Sequence, residues 1–460
     1  MRLLLALVLL FAPALLLFDR PSDLPEIAPD EGALRAALQK GTGTVRLPPG
    51  VIEIYRGLEI PAGAHDLAIV GDSRTVLRAA REFQGRALIS LRQARQVALR
   101  GFTLEGNRDS QAGTAELAPP ENAFRLYYSG NGILADEVED LRVEQASFHS
   151  FAGFPILVSR SRRVTIAGVS IKNSGSKNRL GRNNATGGIL LEEGTVQFEV
   201  RSSSFCNITG NGLWTHSLYT SPRNGPGIFA FNRFRAIGRD AVQVGHATRV
   251  RVESNTGSHI GYPSEIVDVE GGGFPVAIDT AGNVDSSQYR GNVFRELNGK
   301  CFDLDGFHHG EVSGNTCLNT ATPEAYPFGH FGIVLNNSNP DMQSAEIRII
   351  GNQIQGMKYG GLFLIGRNHQ VIENRFDRIN TAGCNESGAR FNCNYFPNEP
   401  NLLQSGIYLS RGVGRHEPVR GNVIRGNTVS GHGMKQRCVA AGPGVRLTDN
   451  LITENRCSDE

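Results

Sequence analysis

Apolar and polar residues alternate in short runs along most of this chain, and the runs return at a nearly constant interval. Val164-Thr-Ile166, Phe198-Glu-Val200, Val250-Arg-Val252 and Ile347-Arg-Ile349 each place apolar side chains two apart, the period of a strand with one buried face. An Asn, usually preceded by Gly, recurs beside these runs, at Asn232, Asn255, Asn292, Asn315, Asn352, Asn374, Asn422, Asn427 and Asn450. The steps 232 to 255, 292 to 315, 352 to 374 and 427 to 450 are 23, 23, 22 and 23, and two others are 37, one unit of 23 plus 14. Such a period indicates stacked supersecondary units rather than one globular core. Asn tolerates the left-handed conformation of a sharp turn between strands, so these residues are expected at positive φ. Stacked turns would also align their side chains into a hydrogen-bonded ladder.

From about residue 97 the units can be laid over one another. A first strand is followed by a second short apolar stretch, and then by a strand opened by Gly, as in Gly188-Ile-Leu-Leu191, Gly212-Leu-Trp-Thr215, Gly332-Ile-Val-Leu335 and Gly361-Leu-Phe-Leu364. Three strands per turn predict an all-β chain, a single-stranded right-handed parallel β-helix that forms one domain over residues 30–460. Asp30 can cap a short helix with Leu34, Ala37 and Leu38 on one face, and this helix is expected to cover the open first rung. Segments 108–128, 173–186, 261–275, 319–330 and 381–404 precede Gly-opened strands, whereas 217–226, 336–345 and 411–418 follow them. Loops on both edges of one sheet would wall its outer face into a groove.

The stretches Gly43-Thr-Val-Arg-Leu-Pro-Pro-Gly50, Leu58-Glu-Ile-Pro-Ala-Gly63 and Ile69-Val-Gly71, with the Asn-marked rungs, resemble the pectin-lyase-like superfamily of right-handed parallel β-helix proteins. The resemblance covers essentially everything after residue 29. It implies the fold and a polysaccharide bound in a groove along one sheet. It leaves the reaction open, because the superfamily holds glycoside hydrolases, polysaccharide lyases, uronan epimerases and phage tailspikes.

If Ile333 and Leu335 point inward, the outward residues of the Gly-opened strands follow by alternation. Rung by rung these include Leu134/Asp136, Leu157/Ser159, Leu190/Glu192, Trp214/His216, Gln243/Gly245, Ala277/Asp279, Asp303/Asp305, Val334/Asn336, Phe363/Ile365 and Tyr408/Ser410. The middle of this column is acidic and the aromatics lie nearer its ends, a mixture suited to a sugar chain. Asp279, Asp303 and Asp305 are candidate acid and base, with His308 or His330 orienting one of them. Asp303 and Asp305, about 7 Å apart on one strand face, leave room for an attacking water. Trp214, His216, Gln243, His309, Asn336 and Tyr408 are candidate substrate contacts. The polygalacturonase pattern is not met: Asp303 and Asp305 are split by Leu304, Gly329-His330-Phe331 matches its His motif in part, and no Arg-Ile-Lys follows. A lyase or epimerase acting on a uronate polymer is the alternative, with calcium as its possible cofactor near Asp268 and Glu270. A non-catalytic polysaccharide-binding or surface-structural solenoid is the other. No metal ligands are otherwise assigned.

Composition agrees with strands and turns, with 55 Gly and 21 Pro in 460 residues against 4 Met and 1 Trp. The net charge of +2 gives no field for nucleic acid or an anionic membrane, and the partner expected is a polysaccharide bound by a monomer. Met1-Arg2 precedes an apolar run from Leu3 to Phe18, with Ala12-Pro13-Ala14 as a small-residue cleavage pattern. Residues 1–18 read as a bacterial-type export signal, with an uncleaved membrane anchor as the alternative, and 19–29 as a linker. This places the protein outside the cell or in the periplasm. Cysteine usage fits: Cys301/Cys317, Cys384/Cys393 and Cys438/Cys457 are near enough in sequence to pair, leaving Cys206 over.

Overall fold

The computed structural model describes residues 26–459 apart from 112–118, 120, 269–273, 339–341, 386–392, 394–398, 400, 413 and 414. The expected signal segment and Glu270 lie outside the described residues. The chain coils into a parallel β-helix. Its first sheet has 15 strands among the described residues, from Glu26–Ile27 to Leu451–Thr453. The second stacks Thr103–Glu105, Ser147–His149 and their successors up to Arg456–Ser458. The third, holding the Gly-opened strands, runs from Asn131–Asp136 to Val439–Ala441. Near the start, Gly50–Ile60 and Thr75–Arg92 run round the corner that separates the second and third sheets further up. Strand structure begins at Glu26–Ile27, paired with Val45 and Arg46, inside the stretch read as a linker.

The capping helix is Glu31–Leu38; Asp30 accepts the Ala33 N–H at 2.8 Å, and Leu34, Ala37 and Leu38 are buried. The core is a column of inward Leu, Ile, Val and Phe, with rings stacked between rungs, as in Phe205 on Phe234 at 4.9 Å. That column explains the Gly at the head of the third-sheet strands. A Cβ on Gly361 would lie 2.4 Å from the Phe376 ring, and one on Gly212 would lie 2.6 Å from the Ala241 carbonyl. The corner has no room for a side chain.

The Asn ladder forms, with a different division of labour from the one expected. Asn232, Asn255, Asn292, Asn315, Asn352, Asn374 and Asn427 each donate an amide hydrogen bond of 2.8–3.0 Å to the next Asn, ending at Asn455. Asn422 and Asn450 form a separate pair at another corner, so the 427-to-450 step is not a rung of the ladder. None of these Asn residues has positive φ. The left-handed residue is the one before: Gly291, Gly314, Gly351 and Gly426, or Phe231, Ser254, Glu373 and Glu454 where no Gly is present. The Asn side chain is needed for its amide and the preceding residue for the turn. Gly314 has φ +60 and open space where a Cβ would be. Gly314→Ala is therefore expected to cost about 1 kcal/mol through backbone conformation alone, seen as a lowered urea midpoint. An unchanged midpoint would mean the turn is unstrained.

Candidate functional site

Strand register fixes which side chains share the outer face of the third sheet. Leu134, Leu157, Leu190, Trp214, Gln243, Asp279, Asp303, Val334, Phe363 and Tyr408 are successive Cα partners in one column. Two residues further along, Asp136, Ser159, Glu192 and His216 pair in turn, and higher up Asp305 pairs with Asn336. Alternation in the sequence and register in the fold agree except on one rung, where the outward pair is Asp279/Ala281 rather than the expected Ala277/Asp279, because Asp279 pairs with Gln243 and Asp303 and Ala281 with Gly245.

Both ends of this face are covered. At the lower end, Leu157, Leu190 and Trp214 are buried with Phe124, Tyr128, Phe154 and Ala185. Trp214 is 7% exposed, its ring 5.1 Å from Phe124, so it packs under the short helix Phe124–Tyr127 rather than standing open to a sugar. His216 stacks on Phe124 at 4.6 Å, and burial pushes its pKa down to about 4. At the upper end, Val334 and Tyr408 are buried with Phe331, Tyr359, Leu402, Leu403 and the Cys384–Cys393 disulfide. Tyr408 is fully buried and is likewise no open platform. The polar middle of the column separates the two apolar covers.

There the acids meet. Asn211 donates to the Gln243 carbonyl at 2.8 Å, and Gln243 donates to Asp279 at 2.5 Å. Asp279, on the strand Val276–Asp285, is the Cα partner of Asp303 on Lys300–Asp305. Lys300 is ion-paired with one oxygen of Asp303; the other, Oδ1, is buried without a hydrogen bond. Asp240 completes the group from the corner before its strand, where it accepts the Val276 N–H at 3.1 Å and lies 3.6 Å from Arg239. Burial, then the charges of Asp240 and Asp303, hold the Asp279 carboxyl well above the usual range. Burial lifts Asp240 to about 6 against the pull of Arg239, with the Asp303 charge adding to the rise. Asp279 thus keeps a proton where an exposed Asp would have lost it.

Other expected residues are placed differently. Asp305 is held by Ser338, whose N–H and hydroxyl donate to it at 2.8 and 2.5 Å; a carboxylate anchoring a loop in this way is not free to activate water. Its pKa is raised, chiefly by burial. Gly306, at φ +67, turns the chain away before His308. His308 therefore meets Asn283 and His309 rather than the acids, and His309 reaches Glu346 at 3.2 Å in solvent. Asn336 is exposed beside Asp305 and caps its own following N–H. His330 lies next to Phe274 and Tyr359, its Nδ1 unpartnered. Burial, then Lys300 and Lys358, keep it neutral.

Sequence reasoning missed Asp240 and Asn211 because alternation describes strand interiors: Asp240 lies at the corner before Val242–Thr248, and Asn211 is the first residue of Asn211–His216. The signal available was their shared role: Asn211 accepts the Asp240 N–H at 3.1 Å as Asp240 accepts that of Val276. Among the described residues one group of His and carboxylate ligand atoms lies within 4.8 Å of one another, Glu192, Glu193 and His216. Glu192 already accepts the Phe124 and Arg125 N–H groups at 2.9 and 2.8 Å, and Glu193 that of Leu218 at 2.9 Å, so these carboxylates serve as loop anchors. Asp268, the described half of the suggested calcium pair, lies 3.8 Å from Arg182.

No protein-family model matches the chain and no curated protein matches it by sequence. Solved structures share its fold. DFA-IIIase from Arthrobacter chlorophenolicus A6 in complex with GF2 superposes with a TM-score of 0.53 at 13% identity, over 94% of this chain and 96% of that one. The Dettilon tailspike protein gp208 gives 0.51 at 15% identity, over 91% of this chain. Geobacillus virus E2 ORF18 gives 0.52 at 11%, over 72% of this chain. The chain spans 66% and 59% of those two viral chains. At such identities the likeness establishes the parallel β-helix fold and nothing of the chemistry.

Proposed function

We propose that this protein hydrolyses glycosidic bonds, with Asp279 as proton donor and Asp303 as the carboxylate that attacks the sugar. One observation carries the reading: a buried carboxyl hydrogen-bonded to Gln243 and a carboxyl ion-paired with Lys300 are Cα partners on adjacent rungs, and burial raises the pKa of the first. Adjacent strands bring such groups to about 5 Å, the spacing at which the second carboxylate acts as nucleophile. The wider Asp303–Asp305 pairing, which would admit a water, is disfavoured by the Ser338 bonds to Asp305.

In this reading Asp279 gives its proton to the glycosidic oxygen as that bond breaks. The unpartnered Oδ1 of Asp303 bonds to the anomeric carbon, giving a glycosyl ester. Water then attacks that carbon, Asp279 takes the water's proton, and Asp303 leaves as carboxylate beside Lys300. Gln243 and Asn211 hold Asp279 in position. The resemblance to polysaccharide-acting solenoids supports the substrate class, and the three disulfides support an extracellular or periplasmic site of action.

The test is a panel of neutral and uronate polysaccharides, followed by reducing ends and by ultraviolet absorbance, with product anomers read by proton NMR. New reducing ends with retained anomeric configuration are expected. Inversion would reassign Asp303 from nucleophile to base. A rising absorbance from unsaturated uronate would replace hydrolysis by elimination. Binding with no turnover across the panel would leave a carbohydrate-binding solenoid.

A further inference from the structure

Resting on that hydrolase reading, we infer that the substrate enters end-on, as a short oligosaccharide or the terminus of a longer chain, across the edge of the third sheet where its strands end. A polymer lying along the sheet would have to displace the apolar cover over Leu157, Leu190 and Trp214, and also the disulfide-pinned cover over Val334 and Tyr408. Between them, among the described residues, the rungs of Gln243, Asp279 and Asp303 present polar groups. Three strands span roughly 10 Å, the room of a di- or trisaccharide rather than of a long chain.

Exposure is greatest at the strand ends. The side chains of Asp240 and Asp303, further in, are 3% and 14% exposed, whereas Asn336 at the end of its strand stands in solvent. An aromatic ring stands at this edge too. Tyr219, 56% exposed, packs edge-on against His246 at 5.0 Å, with its hydroxyl 3.2 Å from where a Cβ on Gly282 would be. Gly245 and Ala281 are partners on these rungs, so small residues keep the edge low between Tyr219 and the acids. Beyond it, Arg223 and His308 both bond to Asn283, at 3.2 and 3.0 Å, forming a polar rim. A large exposed ring beside clustered hydrogen-bonding groups suits the apolar face and the hydroxyls of a sugar.

The test uses the whole protein on each polysaccharide of the panel that it cleaves, and on the di- to tetrasaccharides of the same linkage. Tri- or tetrasaccharide should be cleaved at least as efficiently per bond as polymer, with mono- or disaccharide released from the first time point while the mean polymer mass barely falls. Tyr219→Ala should raise KM on the oligosaccharide about tenfold with kcat held. Early mid-sized fragments and a collapsing polymer mass would overturn end-on entry while leaving hydrolysis standing. If nothing is cleaved, calorimetry with every polysaccharide of the panel still decides: saturation at one protein per chain end supports the inference, and many proteins per polymer chain, or no binding to any, refute it.

Discussion

Asp279→Asn is expected to lower kcat by roughly 10²–10⁴, the range for loss of a general acid, and to make the folded protein more stable at alkaline pH. The replacement is nearly isosteric and its amide oxygen can still accept from Gln243, as the carboxyl does at 2.5 Å. Only the transferable proton is lost. The stability change follows from linkage. Unfolded, the carboxyl titrates near its ordinary value of 3.8; folded, burial and the neighbouring Asp240 and Asp303 raise it well above that. The folded state therefore holds the proton more tightly, so stability on this account is fully present below about pH 4 and lost as pH rises through the folded-state pKa. The variant has no proton to lose. Wild type and variant should melt together near pH 4, and the variant should melt higher at pH 8, as thermal unfolding at the two pH values would show. Lower melting of the variant at both would mean that Asp279 is a structural carboxylate.

The same sign governs the wild-type rate. Turnover should fall with rising pH through the pKa of Asp279, and a glycoside with a dinitrophenolate or fluoride leaving group, which needs little protonation, should recover much of the variant's lost rate. A carboxyl kept protonated at such a cost to stability is more easily understood as a functional group than as a packing solution.

The architecture was legible because a solenoid repeats one local solution. The period, the alternation and the head-of-strand Gly each report a neighbour one rung away, so sequence spacing translates directly into space. The outward column of the third sheet could be read on that basis, and Gln243, Asp279 and Asp303 are indeed stacked Cα partners. Features that depend on loops could not be read. Trp214 has the outward parity of a platform, but Phe124, from a loop about ninety residues earlier, covers it. Asp305 has the parity of a catalytic acid, but Ser338 on the next rung's loop takes both of its oxygens. His308 follows Asp305 by three residues, yet the left-handed Gly306 carries it round a corner. Alternation predicts direction within a strand; it says nothing about what folds back over that strand or where the strand bends.

Asn292→Ala is expected to cost about 3–5 kcal/mol, because it leaves several buried polar groups unpaired at once. Asn292 is fully buried. Its side-chain oxygen accepts from the Asn255 backbone at 3.0 Å and from the Asn255 amide at 2.9 Å, while its own amide donates to Val252 and Asn315, both at 2.9 Å. The Val252 carbonyl and the Asn255 N–H have no water to turn to. At the open end of the ladder the same truncation should matter far less. Asn455 also accepts two bonds, at 3.0 and 2.8 Å, but it is half-buried and solvent can replace them. Asn455→Ala is thus expected to cost about 1 kcal/mol or less, and comparing the two urea midpoints separates a buried ladder from a decorative one. Asn292 also sits between the rung that bears Asp279 and the rung that bears Asp303, yet the register of those two strands is set by their own backbone pairing on the third sheet. The rate per folded molecule should therefore stay close to wild type while the midpoint drops, the reverse of the pattern expected for Asp279→Asn. A loss of rate per folded molecule matching the loss of stability would mean that the ladder, and not the third sheet, holds the two acids together.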